Sequence, residues 1–129
     1  MMFVTGTDGG RLRYLLRRVV KQDGEVCCAA VTLAEVCRGT VRTRRVEAAL
    51  TRSFGGRRVR VVPTDETLAK LVGTILHEAE AGSEFIADAH VVGVCAGADT
   101  AIVVTSDPDD ITRLAGSLRG VRVLTHAVR

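Results

Sequence analysis

Three acidic side chains stand where a metal-dependent reaction could be carried out: Glu35, Asp88 and Asp107. Asp107 directly follows an apolar run, TAIVVTS, whose β-branched residues are typical of a buried strand. Ligands of open α/β sheets bind at the carboxyl ends of the strands, so Asp107 is placed where chemistry is usually done. It also suits the N-cap of a helix that begins at Pro108, and both interpretations stay open.

Asp88 and Glu35 have alternative interpretations too. Asp88 falls in the middle of an apolar segment that predicts a helix over 84–98, where an ionised carboxylate is costly unless it is paired or holds a metal. Glu35 follows Thr32 at the spacing of a capping box, which offers an N-cap in place of a site role.

Three acids at one sheet edge repel each other unless a cation is present. The hard ions Mg²⁺ and Mn²⁺ take oxygen ligands and keep waters that can attack a phosphodiester, so either is the expected cofactor.

Other polar residues near these acids are auxiliary candidates. Asp110 lies in the first turn of the helix after Pro108, where the helix dipole favours a carboxylate, so capping is the simpler explanation for it. Thr105 and Ser106 could hydrogen-bond the site acids or a phosphate, although capping of the turn explains them equally well.

The helices and strands that position these residues alternate along the chain. Short apolar runs predict strands near 2–5, 25–30, 57–63, 101–104 and 121–125. Apolar residues at helical spacing predict helices at 11–21, after 32, and at 41–53, 64–81, 84–98 and 108–118. This alternation predicts a three-layer α/β fold with a central, mostly parallel sheet and helices on both faces.

The composition favours a single globular domain over residues 1–129, with 47% hydrophobic and 26% charged residues. The four cysteines include no C-x-x-C pair, which favours buried thiols in a reducing compartment over a zinc site. We find neither a signal peptide pattern nor an apolar run of bilayer length, and we therefore expect a cytoplasmic protein without a membrane partner.

Arginine accounts for sixteen of the eighteen basic residues, although the net charge is only +3. The arginines cluster over 11–18 and 38–60, where they could form a solvated face or contact RNA phosphates. The candidate RNA-binding residues are Arg11, Arg13, Arg38 and Arg42.

Two segments of the chain resemble a known family. The run EFIADAHVVGVCAGADTAIVVTSDPDDITRLA resembles the C-terminal half of a PIN domain, with its acidic helix, strand and T-S-D. The run VCCAAVTLAEVCRG is similar to the strand and helix that carry the family's upstream acid. The resemblance covers most of the chain from about Arg11 onward, and it is strongest to bacterial VapC-type toxins.

This resemblance implies a PIN-like fold and the toxin component of a type II, VapBC-like toxin–antitoxin system. The implied activity is that of an endoribonuclease that depends on Mg²⁺ or Mn²⁺, and the implied partners are RNA, a cognate VapB-like antitoxin and a second copy of the chain. Asp88 and Asp107 would be catalytic metal ligands. Glu35 would be the third catalytic acid, bound to the metal directly or through water.

The N-terminus departs from the family's pattern. PIN domains begin with a strand that ends in aspartate, and here Thr5 stands in that position within MMFVTGTDGG. Asp8 could substitute for the missing carboxylate, and a truncated or altered gene start would also explain the difference. The alternative function is therefore a catalytically degenerate PIN module that binds antitoxin or RNA without cleavage.

Overall fold

The computed structural model describes residues 2–4, 24–51 and 59–127, and five strands and five helices are found there. The strands are β1 (Met2–Val4), β2 (Val26–Ala29), β3 (Arg60–Val62), β4 (Thr100–Thr105) and β5 (Arg122–Ala127). The helices are α1 (Ala30–Val36), α2 (Thr40–Thr51), α3 (Glu66–Glu78), α4 (Ile86–Cys95) and α5 (Pro108–Ala115), and a short 3-10 helix, Ser83–Phe85, precedes α4.

The strands form one sheet in the order β3-β2-β1-β4-β5, and every neighbouring pair is parallel. β1 is central, and its last residue, Val4, pairs with Val104 of β4. The chain runs outward from β1 through β2 to β3 and then crosses to β4 and β5. With right-handed crossovers, this change of direction places helices on both faces of the sheet. The predicted α/β class with a parallel central sheet is confirmed.

The core lies between the middle of the sheet and two helix layers. All four residues of β2 are buried, as are Ala101, Val103 and Val104 of β4. Helix α4 is buried over 89–95 because it packs between the sheet and α3. Gly93 faces α3, where a Cβ atom would come within 2.9 Å of Leu68 Cδ1, so the missing side chain allows the two helices to approach closely.

Two predicted helix starts are wrong, and both corrections affect the candidate site. Helix α1 begins directly after β2 with Ala29 as its N-cap, so the capping box predicted for Thr32 and Glu35 does not form. The Thr32 hydroxyl instead donates to the carbonyl of Ala29 at 2.7 Å. Helix α4 begins at Ile86, which places Asp88 in its first turn and not in the middle of the helix.

Several predictions fall outside the described residues: those for Thr5, Asp8, Arg11 and Arg13, and the helix over 11–21. The four cysteines are described and free, and Cys27, Cys28 and Cys95 are buried, as predicted. None of the described helices combines the length and the apolar character that a membrane crossing requires.

Candidate metal centre

Asp107 lies where β4 ends and α5 begins, and a local turn fixes its backbone. Its amide donates to the Thr105 hydroxyl oxygen at 3.0 Å, and the amide of Ile111 donates to its carbonyl at 3.3 Å. The Ser106 hydroxyl donates to its carboxylate at 3.3 Å. Although Asp107 occupies the N-cap position of α5, its side chain makes no capping hydrogen bond. The carboxylate is therefore free of the capping role and can bind a ligand.

Three carboxylates converge beside this turn. Asp88, Asp107 and Asp110 each offer an oxygen atom, and these three oxygens all lie within 4.8 Å of one another. Asp88 and Asp110 are half-buried, whereas Asp107 is exposed. Ligand oxygens on opposite sides of an octahedral Mg²⁺ are about 4 Å apart, so small side-chain adjustments would bring this set to binding distance. The donor set fits a hard divalent cation.

The pKa of Asp88 is consistent with a binding site for a divalent cation at these carboxylates. Burial raises the pKa of Asp88, and the charges of Asp107, Asp110 and then Glu35 raise it further. In the described parts of the chain, the two ion pairs join Arg60 to Glu25 and Lys70 to Glu66, so neither involves a site carboxylate. The cationic side chains among the described residues do not neutralise the negative charge of the site, whereas a bound metal cation would neutralise it.

A cleft of about 120 Å³ opens beside the carboxylates. Glu35 reaches it from α1, which follows β2, whereas Asp107 follows β4. These strands flank β1, and sheets of this type bind ligands at such a change of strand order. The lining residues are Thr32, Glu35, Val36, Asp88, Thr105, Ser106 and Asp107.

The structure thus brings Glu35, Asp88 and Asp107 to one cleft, as the sequence predicted, while their catalytic roles stay predictions. Asp110 was an auxiliary candidate for which capping was the simpler explanation, and the structure places it in the carboxylate cluster. Residues three apart lie on the same side of a helical turn, so the spacing of Asp107 and Asp110 was the available signal. Arg38 and Arg42 are both exposed, and Arg38 Nε donates to the carbonyl of Ala34 at 3.0 Å.

The described residues define an α/β protein with a carboxylate-lined cleft at the carboxyl edge of a parallel sheet. The family model of the PIN domain matches residues 3–117, and the chain belongs to the PIN domain family. Membership of this family suggests nuclease activity, typically dependent on a divalent metal, and binding of nucleic acid. No curated protein and no solved structure matches the chain significantly.

Proposed function

We propose that this PIN domain is a metal-dependent endoribonuclease and the toxin of a VapBC-like pair. The observation that carries the proposal is the group of acids in one cleft of a PIN domain, in which Asp88, Asp107 and Asp110 lie within 4.8 Å of one another. The resemblance to VapC-type toxins supports the choice of RNA as substrate.

Asp88 and Asp107 would hold Mg²⁺ or Mn²⁺, which when bound supplies positive charge against the phosphate and lowers the pKa of water. Glu35 lies on the wall of the same cleft, where its carboxylate can accept a hydrogen bond from a water molecule and orient it toward the phosphodiester. Arg38 and Arg42 are exposed and would hold the phosphates of the RNA strand.

The test is cleavage of RNA by purified, antitoxin-free protein with and without Mn²⁺. We expect Mn²⁺-stimulated cleavage that Asp88→Asn abolishes, because that change removes a metal-holding carboxylate. Equal cleavage by the wild type and Asp88→Asn would indicate a contaminating nuclease and would count against the proposal.

A degenerate module that only binds antitoxin or RNA is the second candidate, favoured by Thr5 in the position of the family's first aspartate. Calorimetric titration with Mn²⁺ distinguishes the two functions. Binding in the micromolar to millimolar range together with cleavage supports the enzyme, whereas undetectable Mn²⁺ binding supports the degenerate module.

The cognate antitoxin and the homodimer belong to the same proposal and rest on the resemblance. Leu68 of α3 is only 8% exposed and packs into the core, so it cannot contribute to an apolar surface that a second copy would cover. Sedimentation at tens of micromolar tests the dimer, and a monomer at that concentration would remove it from the proposal.

A further inference from the structure

Thr32 places a buried hydroxyl on the wall of the acidic cleft, and its side chain has no role in the proposed chemistry. It lies in the first turn of α1, three residues before Glu35, so the two residues share one side of that helix and both line the cleft. The Thr32 hydroxyl donates its hydrogen to the carbonyl of Ala29 at 2.7 Å. Because a hydroxyl has one hydrogen and two lone pairs, Thr32 Oγ1 can then only accept a further hydrogen bond.

The other polar groups of the cleft are also mainly acceptors. The carboxylates of Glu35, Asp88 and Asp107 accept when ionised, and the Ser106 hydroxyl donates its hydrogen to Asp107 at 3.3 Å. Thr105, whose oxygen accepts the Asp107 amide hydrogen, keeps one hydrogen to donate. None of the described residues that line the cleft is cationic. These side chains therefore suit groups that donate hydrogen bonds, whereas phosphate oxygens only accept them.

We propose that Thr32 Oγ1 accepts a hydrogen bond from a ribose 2′-hydroxyl and that this contact makes the cleft prefer RNA to DNA. The inference rests on the proposed function and deepens it, because it names a residue that distinguishes the substrate. The 2′-hydroxyl is a donor that the sugar of RNA has and the sugar of DNA lacks. Thr32 is also uncharged, so it accepts this hydrogen without adding to the repulsion between the cleft and a phosphate.

The burial of Thr32 explains why deoxyribose would be disfavoured. Thr32 is 8% exposed, and its hydrogen is held by the carbonyl of Ala29, so the hydroxyl cannot turn to present a donor instead. A deoxyribose in the same place would cover Oγ1 without supplying a hydrogen bond. A buried polar atom that is left unpaired in this way costs free energy, and sites built to bond a substrate hydroxyl reject analogues that lack it for this reason.

The test compares the affinities of the full chain for three short labelled single strands of one sequence: RNA, its 2′-deoxy form with uracil retained, and its 2′-O-methyl form. Fluorescence anisotropy is measured in Ca²⁺, which takes oxygen ligands as Mn²⁺ does, and a gel shows whether the strands stay intact. We expect the wild type to bind the RNA more tightly than either modified strand. Thr32→Val should weaken binding of the RNA by about three- to tenfold, the usual weight of one hydrogen bond, and leave binding of the deoxy strand unchanged.

Two variants control for structural effects. Thr32→Ser keeps the hydroxyl and should retain the ratio of RNA affinity to deoxy-strand affinity. Thr74→Val removes the same kind of bond from a helix outside the cleft, since Thr74 Oγ1 donates to the carbonyl of Lys70 at 3.1 Å, and it should leave that ratio unchanged. Thermal melting shows that each variant folds.

The outcomes separate this inference from the proposed function. If Thr32→Val weakens binding of the RNA and the deoxy strand equally, or changes neither, Thr32 does not contact the 2′-hydroxyl and the inference is wrong. A wild type without preference for RNA over the deoxy strand would overturn it too. In each case, Mn²⁺-stimulated cleavage that Asp88→Asn abolishes would still support the nuclease. If Asp88→Asn cleaves as the wild type does, the proposed function fails and the inference falls with it.

Discussion

The position of Asp107 depends on the side chain of Thr105, which is 3% exposed. The Thr105 hydroxyl oxygen accepts the Asp107 amide hydrogen at 3.0 Å and closes the turn that links β4 to α5. A residue at the end of a buried strand therefore helps to determine the geometry of the site through the backbone of the acid that follows it.

Replacing Thr105 by Val keeps the shape of the side chain and removes this acceptor. We expect a loss of about 1 kcal/mol in the free energy of unfolding, because the Asp107 amide loses its partner, together with weaker Mn²⁺ binding. Thr105→Ser retains the hydroxyl and should restore most of the Mn²⁺ affinity. Denaturant unfolding and calorimetry measure the two effects, and a Val variant with unchanged Mn²⁺ affinity would contradict the positioning role.

The raised pKa of Asp88 predicts a dependence of apo stability on pH. The folded protein binds this proton more tightly than the unfolded chain, so the contribution of Asp88 to stability is full below the ordinary pKa of 3.8 and is lost as pH rises through the raised value. Asp88→Asn should therefore be more stable than the wild type near pH 7 in EDTA. The difference should shrink as the pH falls toward 3.8.

Thermal melting of both proteins across this range is the measurement. The difference between the two melting temperatures isolates Asp88, since the other titrating groups are common to both proteins. A difference that did not change between neutral and acidic pH would show that the Asp88 proton is not linked to folding.

At the scale of elements, Arg113 of α5 fixes the end of α3 and the start of the segment that carries Asp88. Its guanidinium donates to the carbonyls of Ala79 at 2.9 Å and Glu80 at 3.2 Å. It also lies over the ring of Phe85, 5.4 Å from the centroid. Glu80 has a φ of 52°, a left-handed backbone conformation that is unfavourable for residues other than glycine. The turn therefore requires stabilising contacts from another part of the chain.

We expect Arg113→Ala to lower the free energy of unfolding by about 1 kcal/mol, because these exposed contacts are individually modest. Arg119→Ala is the control: Arg119 is exposed near the same helix ends and has no hydrogen bond or ion pair within the described residues. Glu80→Gly should recover part of the loss by relieving the backbone conformation. Equal unfolding curves for the two arginine variants would contradict this account.

Local sequence predicted the elements better than it predicted their ends. β4 was found because its apolar residues run continuously, and α3 because Leu68, Val72 and Ile75 recur at helical spacing. The start of α1 was missed because β2 runs into the helix without a loop, which no capping residue marks. The grouping of Asp110 with Asp88 depends on how α4 and α5 pack, and local sequence does not encode that arrangement.

At the scale of the whole molecule, the distribution of charge sets how RNA could approach. The carboxylates at the carboxyl edge of the sheet repel phosphates, so arginines elsewhere must provide the attraction. Arg38, Arg42 and Arg45 are exposed on α2 and the segment before it, near in sequence to Glu35. Arg119 and Arg122 are also exposed, but they precede or begin β5, at the sheet edge opposite to Asp107.

This layout predicts that equal changes of charge have unequal effects on RNA binding. Single-stranded RNA releases about 0.7 counterions for each phosphate that a protein neutralises, so Arg38→Gln with Arg42→Gln should reduce the slope of log affinity against log salt by about 1.4. Arg119→Gln with Arg122→Gln removes the same two charges from the opposite edge and should leave the slope nearly unchanged. Fluorescence anisotropy with a labelled RNA in EDTA, where metal-dependent cleavage is blocked, measures both slopes. If the two double variants lowered the slope equally, the net charge alone would account for binding, and Arg38 and Arg42 would lose their assigned role.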